Sequence, residues 1–268
     1  NPWHASRAAA QRERFERLSE CATRVKSTHC ECGGHKARTV KLTCDHWRLC
    51  YPCRARRVRR DQARFALGRK KQLRRCGRKT ARFTVGGRWS EKFLTLTVPH
   101  GFSVAQDIDE LREAWPHFRA RLTRIIAANG TTGLTGDPLK WRDVPYWRSL
   151  EVAGEGYAHA HYHVWLLCPF IARDDVARAW RDSLSADYRA RLDAAGVEFP
   201  VVDIRAASSD VGRELCKYIV KDFVSRDERM DPRAFARVYA ALDGFRVVAT
   251  STEWNEHQEA AQCWCESC

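Results

Sequence analysis

The chain has 268 residues, 30% charged and 44% hydrophobic, enough for one buried core and a small accessory module. Its net charge of +14 is concentrated: Arg54 to Arg82 holds fourteen Lys or Arg against one acid, Asp61, so that segment alone carries +13. Composition points away from a membrane or secreted protein, because the longest apolar run, Val164 to Ala172, is short and broken by Pro169, and the N-terminal stretch has no signal-peptide core.

Four segments are expected in chain order. Residues 1–29 form a polar, Arg-rich leader of helical character. Its first residue is Asn, which points to a processed or trimmed chain. Residues 30–82 hold a Cys/His-rich module and a basic helix. Residues 83–252 hold the main α+β domain, and residues 253–268 a Cys-rich tail. Twelve cysteines in an intracellular chain suggest metal before disulfides. "CECGGH" (30–35) and "TVKLTCDHWRLCYPC" (39–53) end in a C-x-x-C that opens the basic helix, a treble-clef-like pattern for zinc. Cys50 and Cys53 are the first candidates as ligands and Cys30 and Cys32 the next. Alternatives are His35, Cys44 and His46; Cys263, Cys265 and Cys268 of the tail either complete a second zinc site with Cys44 or His46 or form a solvent-exposed reactive end. Cys168 and Cys216 read as buried thiols. The module is expected to orient the basic helix on DNA.

That helix has Arg on most faces and few apolar anchors (Val58, Phe65, Leu67 and Leu73), which suits nucleic acid better than a membrane surface. Arg54, Arg56, Arg57, Arg59, Arg60, Arg64, Lys70, Lys71, Arg74 and Arg75 are its candidate DNA contacts. The expected setting is therefore on DNA inside a cell: bacterial cytoplasm or nucleoid, or the nucleus of a eukaryote.

Beyond it, Arg82–Val85 and Lys92–Val98 read as strands around a Gly-Gly turn, and residues 107–130 as a helix disturbed by Pro116. Residues 145–153 and 159–168 read as strands, 172–196 as a helix, 199–206 as a strand, 208–223 and 231–244 as helices, and 245–251 as a last strand. The order implies an antiparallel sheet with helices packed on it.

Two constellations carry chemistry. "HAHYHVW" (159–165) puts His159, His161 and His163 on one face of a strand. His161 and His163 suit one cation, with Glu151 of the preceding strand as an oxygen ligand; His159 lies nearest the turn. Two His and one carboxylate leave coordination positions open, as a catalytic site needs. In "ELCKYIVKD" (214–222), Glu214, Tyr218 and Lys221 share one helical face as carboxylate, phenol and amine.

"FLTLTVPH" (93–100), "HAHYHVWLL" (159–167) and "ELCKYIVKD" (214–222), in this order, resemble the three motifs of HUH endonucleases, and most closely those of single-tyrosine rolling-circle replication initiators. The resemblance covers about residues 80 to 250. It implies a five-stranded antiparallel sheet flanked by helices (HUH/RRM-like). It further implies Mg²⁺ or Mn²⁺ at His161, His163 and Glu151, Tyr218 as nucleophile, Lys221 as its electrostatic partner, and Glu214 as activator of water in a terminating cleavage. The implied partner is single-stranded or hairpin DNA at an origin or element end. Position 222 is Asp, so the two-tyrosine pattern of related transposases is missing. No helicase motif follows, and unwinding is expected from a host helicase and polymerase. Single-stranded transposition is the related alternative within this class. A zinc-containing nucleic-acid-binding protein without catalysis would explain the basic patch and cysteines, but not Glu151, His161, His163 and Tyr218 together. A phosphodiesterase that uses water directly would need the histidines and not the tyrosine.

Overall fold

The computed structural model describes residues 21, 25–28, 38–41, 44, 50–83, 89–99, 103–131, 137–153, 159–218, 232–242, 245–251 and 254. They divide into two compact units, residues 1–61 with 255–268, and residues 62–254. The division falls within a helix, not after Arg82, where the composition changes.

In the first unit, β1 (Val25–Thr28) and β2 (Arg38–Lys41) pair antiparallel, Val25 opposite Lys41 and Thr28 opposite Arg38. Helix α1 (Tyr51–Phe83) begins at the C-x-x-C and runs on into the second unit. Arg82 and Phe83, expected in a strand, are its last residues.

The second unit is α+β. Its strands are β3 (Ser90–Thr97), β4 (Tyr146–Ala153), β5 (His159–Cys168), β6 (Val202–Ala206) and β7 (Val248–Thr250). They form one antiparallel sheet in the order β6-β3-β5-β4-β7. Strand β3 is bonded to β6 on one side and β5 on the other, so no edge remains for the hairpin partner expected at Arg82–Val85.

The helices are α2 (Val104–Ala128), α3 (Arg173–Arg181), α4 (Ala186–Ala194), α5 (Val211–Tyr218) and α6 (Pro232–Ala241). A capping box between Ser103 and Gln106 starts α2, which continues through Pro116. The single helix expected over 172–196 is two, α3 and α4. At the break the Ser183 hydroxyl donates to the Ala179 carbonyl (2.6 Å) and the Ser185 amide donates to Glu110 Oε1 (2.6 Å). These local bonds compete with the helical ladder. Among the described residues, no helix is long and apolar enough to cross a membrane.

Alternation along the strands gives the sheet two faces. Leu94, Leu96, Leu150, Tyr162, Val164 and Leu166 line one, buried under α2, where Trp115 meets Tyr146 (5.5 Å between ring centroids) and Tyr162 (5.8 Å). The other face carries Thr95, Ser149, Glu151, the three histidines, Trp147 and Trp165. Helix α5 packs there, and the part of α1 within this unit is fixed to the same face by Phe65. The Phe65 ring is edge-on to Trp147 (5.5 Å) and Trp165 (5.8 Å) and stacked on Trp254 (5.5 Å). Two glycines permit this approach: a Cβ on Gly68 would lie 1.9 Å from the Trp254 ring, and one on Gly212 of α5 would lie 2.5 Å from Phe65. A polar clamp lies beside them. Arg69 donates to both oxygens of Glu91 (2.5 and 2.9 Å), and the Trp165 indole donates to the same carboxylate (2.8 Å).

Phe65→Ala is expected to destabilise this unit by about 3–5 kcal/mol in urea unfolding, as for a large buried aromatic. Leu67→Ala, at a position 70% exposed on the same helix, is expected to stay within about 0.5 kcal/mol.

Candidate active site and metal centres

Glu151 stands directly opposite His161 in the β4–β5 ladder, and Ser149 opposite His163. A cross-strand pair on one face brings side chains within about 5 Å at Cβ. Here Glu151 Oε2 lies 2.7 Å from His161 Nε2 and 2.7 Å from His163 Nε2. One oxygen therefore meets two imidazoles. Glu151 and His163 are buried and His161 is half-buried. His159 is 5.5 Å from His161 between ring centroids, one pair further along, and is outside this group.

The surroundings orient these rings. His163 Nδ1 is 3.3 Å from the Thr95 hydroxyl on β3, which holds the ring with Nε2 towards Glu151. Phe93 stacks on His163 (5.4 Å, 27°). Burial lowers the His163 pKa, partly offset by its bond to Glu151, and so favours the neutral imidazole that a metal ligand requires. Two nitrogens and a carboxylate oxygen, with ligand atoms all within 4.8 Å of one another, fit a divalent cation such as Mg²⁺ or Mn²⁺.

Helix α5 lies across β4 and β5 on this face. Val211, Leu215 and Cys216 are buried in its contact, leaving Glu214 at the edge. Arg205 of β6 donates to Glu214 Oε1 (2.6 Å) and sits over the Phe93 ring (4.8 Å), linking Glu214 to the stack on His163. The Glu214 charge is near enough to favour the protonated form of His163. Tyr218 is the last residue of α5, one turn beyond Glu214. Lys221 lies outside the described residues. Arg205 and Thr95 escaped the sequence reading because each acts through a cross-strand neighbour, and nothing in local spacing marks them.

In the first unit, Cys21, Cys44, Cys50 and Cys53 bring four sulfurs within 4.8 Å of one another. Cys50 and Cys21 are 3.2 Å apart, and Cys53 is 3.5 Å from both Cys21 and Cys44. None of the four forms a disulfide. The edge of a tetrahedron with zinc–sulfur bonds of about 2.3 Å is roughly 3.8 Å, so the cluster is near the geometry of a closed four-thiolate site. Burial pushes the Cys50 thiol up to about 11; ionising the four sulfurs this close together would need a cation among them. Cys30, Cys32, His35, His46, Cys263, Cys265 and Cys268 lie outside the described residues. Among those described, the partners of Cys50 and Cys53 are Cys44 and Cys21, the latter from the segment read as a leader.

Of the candidate DNA contacts on α1, Arg56, Arg59, Arg60, Lys70 and Arg74 are exposed, while Arg54, Arg57, Arg64, Lys71 and Arg75 are half-buried. Arg57 is paired with the buried Asp61 (2.5 Å), and Arg64 lies over the Trp147 ring (5.6 Å).

A family model described as Replication protein matches residues 37–263. No curated protein and no solved structure matches.

Metal analysis of the purified chain is expected to show one zinc that Cys21→Ser or Cys44→Ser releases, with unfolding of the first unit. Cys76→Ser, which removes a buried thiol outside the cluster, is expected to retain it. Loss of zinc on changing Cys30 and Cys32, with retention in Cys21→Ser, would contradict this ligand set.

Proposed function

This chain belongs to the replication-protein family of rolling-circle initiators, and from that premise we propose that it nicks one DNA strand by phosphodiester transesterification through Tyr218. The observation that carries the reading is the Glu151 oxygen in contact with both His161 and His163, on the sheet face crossed by the helix that ends at Tyr218. A divalent cation held by these three residues would withdraw charge from a non-bridging oxygen of the scissile phosphate. Replication initiation is preferred to transposition on family membership.

Tyr218 supplies the nucleophile. As its phenol oxygen bonds to phosphorus, the bond from phosphorus to the 3′ oxygen breaks. The 5′ phosphate stays on the protein, and the 3′ oxygen departs as a hydroxyl with a proton. A phenol of reference pKa about 10 ionises more easily beside a cation, and the Lys221 ammonium has that role. The phosphotyrosine keeps the phosphodiester count unchanged, so a 3′-hydroxyl can reverse the step and rejoin strands. At termination, Glu214 takes a proton from the attacking water, and Arg205 holds its carboxylate in place.

The bound strand runs along the basic side of α1. Between α1 and α5 is an open groove of about 510 Å³, with Arg69, Lys70, Arg74 and Arg213 along it. Such a groove suits a sugar–phosphate chain. Strand separation comes from a host helicase, and synthesis from a host polymerase that extends the free 3′-hydroxyl.

Tyr218→Phe is expected to abolish Mn²⁺-dependent nicking of origin single strands while changing their affinity less than twofold. His163→Ala is expected to lower the nicking rate by at least about a hundredfold, as loss of a metal-ligating group does. Neutralising Arg56, Arg59, Arg60, Lys70 and Arg74 together is expected to weaken binding to all sequences and flatten its salt dependence, by about 0.7 in the log–log slope for each phosphate left unneutralised. Near-normal nicking by Tyr218→Phe would instead establish hydrolysis by water.

A further inference from the structure

The open groove between α1 and α5 has a mixed lining that a phosphate chain alone does not require. Lys70, Arg74 and Arg213 are exposed along it, while Arg69 is committed to Glu91 and to the Ser209 carbonyl (3.3 Å). Beside these cations lie apolar groups: Ala66 and Leu73, both exposed, and the buried Phe65. The lining also includes one acid, Asp210, and the Gln62 amide. An aliphatic wall gains nothing from a phosphodiester, whose oxygens are polar and charged. A nucleobase has the matching character, an apolar face with a polar edge.

Size and access agree with that occupant. The volume of about 510 Å³ falls within the roughly 300–1,000 Å³ of small-ligand sites, and the groove is open to solvent, so a base can enter while still joined to its strand. In a duplex the bases are stacked and paired, and extruding one costs a few kcal/mol; an unpaired strand presents them at little cost. Gly212 and Tyr218 are about 9 Å apart along the axis of α5, a span of about three nucleotides at roughly 3.4 Å each. The acid is the telling element. Asp210 is exposed at the start of α5, where its carbonyl accepts the first helical bond from the Glu214 amide (3.0 Å). Its carboxylate repels phosphate and weakens a grip made only on the backbone. Towards a base it is an acceptor for an exocyclic amine, as acids are for cytosine N4.

We propose that this groove is a base-reading pocket, in which one unpaired base of the bound strand inserts between α1 and α5 and donates its exocyclic amine to Asp210. The face of the base lies on Ala66 and Leu73, and Lys70, Arg74 and Arg213 hold the flanking phosphates. The pocket rests on the nucleic-acid reading above and adds to it a preference for amine-bearing bases over thymine, a few nucleotides from the scissile bond. Phosphate contacts alone carry no such preference.

Labelled twelve-residue homopolymers of cytosine and thymine test this, because the two pyrimidines exchange an amine for a carbonyl at the same ring position. Binding is measured by fluorescence anisotropy on the full chain without added Mg²⁺ or Mn²⁺, so that no strand is cut. The wild type is expected to bind oligo-dC about tenfold more tightly than oligo-dT, as for one hydrogen bond to a charged group. Asp210→Asn is expected to bind the two equally. Asparagine caps a helix as well as aspartate does, so this variant keeps α5, and an unchanged Tm checks that it does. Lys70→Gln/Arg74→Gln/Arg213→Gln is expected to weaken both by a similar factor and to keep the preference for oligo-dC. Equal binding of the two by the wild type overturns the base pocket while leaving strand binding in place. A preference that Asp210→Asn retains overturns its assignment to this groove. Binding of neither oligonucleotide overturns the nucleic-acid reading, and the pocket with it.

Discussion

The candidate active site turns on one carboxylate oxygen. Glu151 Oε2 touches both His161 and His163 at 2.7 Å, in a sheet face otherwise lined by aromatic rings and hydroxyls. A glutamate so buried is costly unless it is paired, and two imidazoles relieve that cost only in part. The arrangement gains most from a cation, which would draw all three groups to itself. The antiparallel register produces this convergence with no irregular backbone: Glu151 and His161 are direct cross-strand partners, and His163 follows on the same face two residues on.

The remaining contacts of this unit place helices over that face. Phe65 among Trp147, Trp165 and Trp254 fixes α1, and the Arg69–Glu91–Trp165 bonds fix its azimuth. Gly212 lets α5 reach Phe65, which sets the height at which Glu214 and the end of the helix cross the sheet. The two faces of the sheet differ in kind. One gathers an acid and histidines suited to a cation. The other buries Arg148 against the rings of Tyr162 and Trp115 beneath α2.

Much of this was legible in the sequence, for definite reasons. Histidines at alternate positions before an apolar run specify a strand face, and a lone glutamate within "LEVA" has few other places to go. The antiparallel sheet with packed helices followed from the order of elements, and its five strands from the resemblance to HUH endonucleases. What failed depended on partners distant in sequence. The segment at Arg82–Val85 looked extended from its β-branched and aromatic content, yet Arg82 and Phe83 finish α1 because both edges of β3 are already bonded. Residues 172–196 have helical composition throughout, and the break between α3 and α4 comes from serine side-chain and backbone bonds, one of them to Glu110 on α2. Cys21 lay in an Arg-rich stretch with no motif around it, so only its approach to Cys44, Cys50 and Cys53 marks it as a candidate ligand.

Mn²⁺ binding followed by electron paramagnetic resonance most directly tests the assignment of Glu151, His161 and His163 as the catalytic cation site. The account predicts one bound Mn²⁺ per chain in the zinc-loaded protein, with nitrogen couplings from two imidazoles that His161→Ala reduces to one and Glu151→Gln weakens in affinity by at least about tenfold. Mn²⁺ bound with no imidazole nitrogen, or bound equally well by the Glu151→Gln and His163→Ala variants, would contradict it.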